Sequence, residues 1–112
     1  ESLRMQINAA VADSLGLCVF GRSVTDENLE LISNAINDAF DAGVTPDFIR
    51  NIGLETLRLE AAFNDAAGFD EEDDELPSFF LDEPLPPTDK IARLRSSEVN
   101  AAMRNLLDAH SG

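Results

Sequence analysis

The chain is predicted to fold as an all-α domain of four to five helices crossed by one acidic, proline-rich segment. Apolar residues recur at three- and four-residue spacings over most of its 112 residues, the signature of helices that each bury one side. No stretch of any length alternates polar and apolar residues with the period of two that a strand requires. The run "VTPDFI", residues 44–49, has the composition of a helix start, with Thr45 as cap and Pro46 at the first helical position, where a missing N–H costs nothing.

Taken in order, residues 2–14 form a first helix whose stripe is Leu3, Ile7, Ala10, Val11 and Ser14, and Gly16 ends it. A second helix is capped by Thr25 and carries Asp26 and Glu27 in its first turn, where negative charge suits the positive end of the helix dipole. Its buried side is Leu29, Ile32, Ile36, Ala39 and Phe40, and Gly43 stops it. The third helix starts at Thr45, with Val44 stapled onto Ile49, and buries Phe48, Ile52, Leu59 and Phe63 before Gly68 closes it.

The pattern changes at "FDEEDDELP", where Asp70 to Glu75 are all acidic and a proline follows, so this is a loop. The next stretch, "SFFLDEPLPPTDK", combines adjacent phenylalanines with three prolines. Residues 69–95 are expected to be an extended strap pinned by aromatic and leucine side chains, the alternative being a disordered linker. A last helix from Ser96 or Ser97 carries Val99, Ala102, Met103, Leu106 and Leu107 on one side.

A hydrophobic content of 44% is that of a folded protein, and the length suits one compact domain. Twenty-two acids against eight bases give a formal charge of −14, which repels nucleic acid and anionic membrane surfaces. Such an excess serves solubility, salt tolerance or attraction to a basic protein. No run of about eighteen apolar residues offers a membrane span, no basic and hydrophobic signal pattern opens the chain, and a single cysteine excludes a disulfide framework; a cytoplasmic protein is expected. The chain begins at Glu1, almost inside a helical pattern, which suggests a piece of a longer polypeptide.

Few residues offer chemistry. His110, the sole histidine, stands three residues from the end, a poor place to hold a base or a metal in fixed geometry. The acids at 70–75 lack the spacing and the turning glycine of a calcium loop, and no glycine-rich phosphate loop, G-x-S-x-G elbow or H-E-x-x-H is present. Cys18 alone remains. By composition it is a small core hydrophobe, because an iron–sulfur cluster needs about four thiolates and this chain has one.

The residues around Cys18 point elsewhere. "DSLGLC", residues 13–18, matches the D-x-x-G-L-C motif of the tungsten-pterin aldehyde ferredoxin oxidoreductase family. Residues 44–87, with their threonine-proline helix start, G-F-x-x-x-D-D-x-L-P run and E-P-L-P, resemble that family's C-terminal stretch in order and spacing, and the resemblance spans roughly residues 3–108. It implies the helical C-terminal domain of an enzyme that oxidises aldehydes to carboxylic acids at a tungsten (or molybdenum) held by two pterin dithiolenes, and passes electrons through a 4Fe-4S cluster to ferredoxin. In that family three cluster cysteines come from an upstream C-x-x-C-x-x-x-C segment and the fourth from the motif, here Cys18. The motif's aspartate, here Asp13, contacts the pterin, and Gly16 and Leu17 complete the cofactor-facing turn.

Several family positions differ. Val19 replaces a lysine common after the cysteine, Ser78 or Phe79 an arginine after Leu-Pro, and "PTDK" the glycines after E-P-L-P. These leave the cluster role intact and open the substrate class, which in the family includes aldehydes, glyceraldehyde phosphate and aromatic acyl-CoA. Three expectations follow from the resemblance: no activity in the isolated domain, partnership with N-terminal cofactor-binding domains of the same polypeptide, and an apolar patch along the first helix and the 13–20 turn through which a fragment could dimerise. The competing reading is a free-standing acidic helical module that binds a basic partner and has no redox activity.

Overall fold

The computed structural model describes residues 1–109, and His110 lies outside them. As predicted, the architecture is all-α. Four long helices, α1 (Ser2–Ser14), α3 (Leu29–Phe40), α4 (Pro46–Ala67) and α6 (Ser96–Ala109), are joined by two single-turn helices, α2 (Arg22–Thr25) and α5 (Phe79–Asp82), and one 3₁₀ turn (Val19–Gly21). Among the described residues β pairing is limited to one isolated bridge, Leu85 with Lys90. Two compact units are present, Glu1–Ala62 and a second beginning at Phe63.

In the first unit the core is Ile7, Ala10, Val11 and Ala12 of α1, Ile32 of α3, and Ile49 and Leu54 of α4, all buried. Ser33 is buried with them, its hydroxyl donating to the Glu30 carbonyl at 3.0 Å. The α1 stripe is as expected up to Val11, whereas Ser14 is exposed. Gly53 is where α1 and α4 come closest: a Cβ placed there would lie 2.6 Å from the Ile7 carbonyl oxygen and 2.7 Å from Val11 Cγ2.

Thr25 does not cap the second long helix. Arg22 pairs with Asp26 at 3.1 Å and the Thr25 hydroxyl donates back to the Gly21 carbonyl at 3.4 Å, which winds residues 22–25 into a turn of their own. Helix α3 therefore begins at Leu29, with Asn28 before it. Of its expected stripe Ile32 is buried and Leu29 and Ile36 half-buried, while Ala39 and Phe40 are exposed. The helix stops at Asp41, left-handed at φ 49°, two residues before Gly43. The Asn37 side chain clamps the connection, donating to the Val44 carbonyl at 2.8 Å and accepting the Val44 N–H at 2.7 Å.

Thr45 caps α4 as predicted, its hydroxyl accepting the Phe48 N–H at 3.2 Å. The buried face of this helix is a correction. Ile49, Gly53 and Leu54 face the core, Ile52 is half-buried, and Phe48, Leu59 and Phe63 are exposed. From Arg58 to Asp70 every residue is exposed. A glycine invites a close helix contact and draws the packing onto its own side, so the bulkier stripe at Phe48, Leu59 and Phe63 is left outside.

In the second unit Leu107 is the one buried side chain among the described residues. Helix α6 starts at Ser96, with Val99, Met103 and Leu106 half-buried and Ala102 exposed. Residues 69–95 contain turns at 71–74, helix α5 and the Leu85–Lys90 bridge; the Ala92 N–H donates to the Phe80 carbonyl at 2.7 Å and closes the segment on itself.

The acids of 70–75 are not a free cluster. Glu75 accepts the Ser96 hydroxyl at 2.9 Å and the Ser96 N–H at 3.4 Å, Asp74 accepts the Asn100 amide at 2.9 Å, and Glu71 pairs with Arg104. Ser96, Asn100 and Arg104 are four residues apart and share one face of α6, so the loop lies along that helix as a three-rung ladder. Its first rung puts a carboxylate on an N-terminal backbone N–H that the helix cannot itself satisfy. The six-acid run and the four-residue spacing of Ser96, Asn100 and Arg104 are both visible in the sequence, but nothing there pairs one with the other.

Candidate functional site

The Asp13–Cys18 turn is built by the way α1 ends. With Leu15 as the last half-helical residue, the Leu17 N–H donates to the Ala12 carbonyl at 2.8 Å and the Gly16 N–H to the Asp13 carbonyl at 3.2 Å. This double closure is a Schellman motif, and it requires a left-handed residue where Gly16 stands at φ 66°. The chain then leaves extended through Cys18 (φ −68°, ψ 130°), whose carbonyl accepts the Gly21 N–H at 2.9 Å and starts the 3₁₀ turn. Six residues thus pass from helix to a new direction with their backbone groups engaged on both sides of the cysteine.

Burial sorts the side chains of the turn. Leu15 and Leu17 are half-buried and root it, whereas Asp13, Gly16 and Cys18 are exposed. Cys18 is therefore not a core filler, and Asp13 and Cys18 present a carboxylate and a thiol from the two ends of one rigid turn. The residues that follow the cysteine are apolar and exposed: Val19 is 63% exposed and Phe20 92%. Among the described residues no three His, Cys, Asp or Glu side chains converge to hold a metal ion. The donor chemistry fits one soft ligand to a cluster completed by cysteines from elsewhere, with a hydrogen-bond acceptor at the other end of the turn for an amine-bearing ligand.

Behind the turn, the Ser14 and Thr56 hydroxyls lie 3.2 Å apart, and Thr56 donates to the Ile52 carbonyl at 2.9 Å. With Gly53 one turn earlier on α4, these contacts carry the helix that ends in the turn. Motif reading does not find them; a glycine in the middle of an otherwise strong helix pattern is the signal that points there.

No helix among the described residues is long and apolar enough to cross a membrane. No match was found among curated proteins or solved structures. The family model described as aldehyde ferredoxin oxidoreductase, domains 2 & 3, matches residues 2–109. A match over nearly the whole chain assigns it: the chain belongs to the aldehyde ferredoxin oxidoreductase family.

Proposed function

We propose that this chain is the C-terminal helical part of a cytoplasmic tungsten- or molybdenum-pterin oxidoreductase, in which Cys18 is the fourth thiolate ligand of a 4Fe-4S cluster and Asp13 accepts a hydrogen bond from the pterin. The observation that carries the reading is the exposure of Cys18 and Asp13 on one braced turn flanked by Val19 and Phe20, groups that solvent does not suit and a second protein surface would cover. The overall reaction is oxidation of an aldehyde with water to a carboxylate, releasing two electrons and three protons, with ferredoxin as the electron acceptor. When bound, the metal–pterin group supplies the oxygen transfer and two-electron chemistry. This chain's own residues would hold and shield: the Cys18 sulfur would anchor iron, the Gly16 turn lets backbone approach closely, and Val19 and Phe20, exposed in this chain, would exclude water from the sulfur once a second surface covers them.

Alone, the chain is inactive, since one thiolate does not assemble a cluster and half a cavity does not retain a pterin. The test is Cys18→Ser in the intact polypeptide, with iron content and the EPR signal of the reduced cluster as readouts. Loss of that signal is expected, and an unchanged cluster in the variant would refute the assignment.

A further inference from the structure

We propose that Gly53 and Thr56, on α4, are positioning residues that set where the Asp13–Cys18 turn stands and thereby where the Cys18 sulfur is delivered. The proposal rests on reading Cys18 as a cluster ligand. Glycine is a poor helix former, so Gly53 in the interior of a 22-residue helix calls for a packing reason. The reason is contact with α1 so close that no side chain fits. An added Cβ would meet the Ile7 carbonyl oxygen at 2.6 Å, Val11 Cγ2 at 2.7 Å and Ile7 Cγ2 at 3.2 Å. A side-chain atom can rotate away, but a backbone carbonyl cannot, so any residue larger than glycine displaces α1 itself by several tenths of an ångström.

The second point of hold lies further along both helices. Thr56 follows Gly53 by three residues and meets Ser14, which follows Val11 by three, at 3.2 Å between hydroxyls. Ser14 is the last residue of α1 and directly follows Asp13. Ile49, fully buried one turn before Gly53, completes the seat. Gly53 therefore sets how close α1 lies and Thr56 sets its last turn, and the Schellman closure passes both settings through Gly16 to Cys18. A cluster's potential depends on solvent access and hydrogen bonding at its sulfurs, so sub-ångström displacement of this thiolate is electrochemically visible.

The test uses the intact polypeptide and four variants: Gly53→Ala, Thr56→Val, Thr56→Ser and Cys18→Ser. Amide hydrogen exchange over residues 14–18 reads the turn, and an EPR-monitored redox titration reads the cluster. Gly53→Ala is expected to speed exchange in that segment about threefold or more, the scale of losing one net hydrogen bond, and to shift the midpoint potential. Thr56→Val changes both in the same direction and Thr56→Ser restores both; if Gly53→Ala does not fold, this pair decides alone. Wild-type exchange over 14–18 in both Gly53→Ala and Thr56→Val would overturn the proposal. So would exchange rising uniformly across residues 1–62, or faster exchange with an unmoved potential. An intact cluster in Cys18→Ser would instead overturn the ligand assignment, while the exchange comparison still decides whether α4 positions the turn.

Discussion

Gly16 and Gly53 are both indispensable, for opposite reasons. Nothing lies within 4 Å of a Cβ built on Gly16, so its requirement is purely backbone: φ is 66° and an L-residue is strained there. Gly53 has helical backbone and no room. Gly16→Ala is therefore expected to cost about 1–2 kcal/mol by forcing a β-carbon into the left-handed region, with Gly16→Asn milder because asparagine tolerates that conformation. Thermal denaturation checks it; equal melting temperatures for wild type and Gly16→Ala would show that the turn does not need its left-handed residue. Gly16 was legible in the sequence as a helix stop because a left-handed terminator follows a local rule. Gly53 was not, since its role depends on α1, forty residues away in sequence. Thr25 misleads for a local reason: it has a good capping side chain, but Asp26 is within reach of Arg22 four residues earlier, and that pair belongs to a separate turn.

Among the elements, α6 and the acidic loop show how a segment with almost no core is held. Leu107 is the buried side chain of its unit among the described residues, and the ladder from Glu71, Asp74 and Glu75 to Arg104, Asn100 and Ser96 accompanies it. The Ser96 hydroxyl, and after it backbone N–H groups, hold the Glu75 carboxyl below its ordinary 4.5. Because the folded value is depressed, the rung contributes in full above the unfolded value and is lost as pH falls through the folded one. The Ser96 amide is thus expected to titrate in NMR spectra with a midpoint under 4.5, and Glu75→Gln to abolish that titration. A midpoint at or above the ordinary value would contradict the rung. Helix α4 marks the limit of periodicity at this scale. Phe48, Ile52, Leu59 and Phe63 do form a stripe, but periodicity finds stripes without saying which one faces this chain's own core.

For the molecule as a whole, all seven phenylalanines are exposed, from Phe80 at 43% to Phe20 at 92%. Aromatic side chains ordinarily dominate cores and interfaces, so under the proposed function these side chains are expected to meet the rest of the enzyme. Val19, Phe20 and Val24 stand exposed after the first turn, and exposed Phe residues extend well beyond it. Phe20→Ala should then change the stability of the isolated chain by less than about 0.5 kcal/mol, as surface substitutions do, but cost about 3–5 kcal/mol in the intact enzyme if the side chain is buried there. Denaturant titrations of both forms compare the two, and equal effects would mean that Phe20 stays bare in the assembled protein. The fully exposed stretch from Arg58 to Asp70 has a consequence for susceptibility to cleavage. Half a helix with no buried side chain opens readily, and it offers proteases an arginine, a leucine and a phenylalanine within six residues. Limited proteolysis of this chain is therefore expected to cut first between Arg58 and Phe63, and cleavage confined to other segments would show that this half of the helix stays closed.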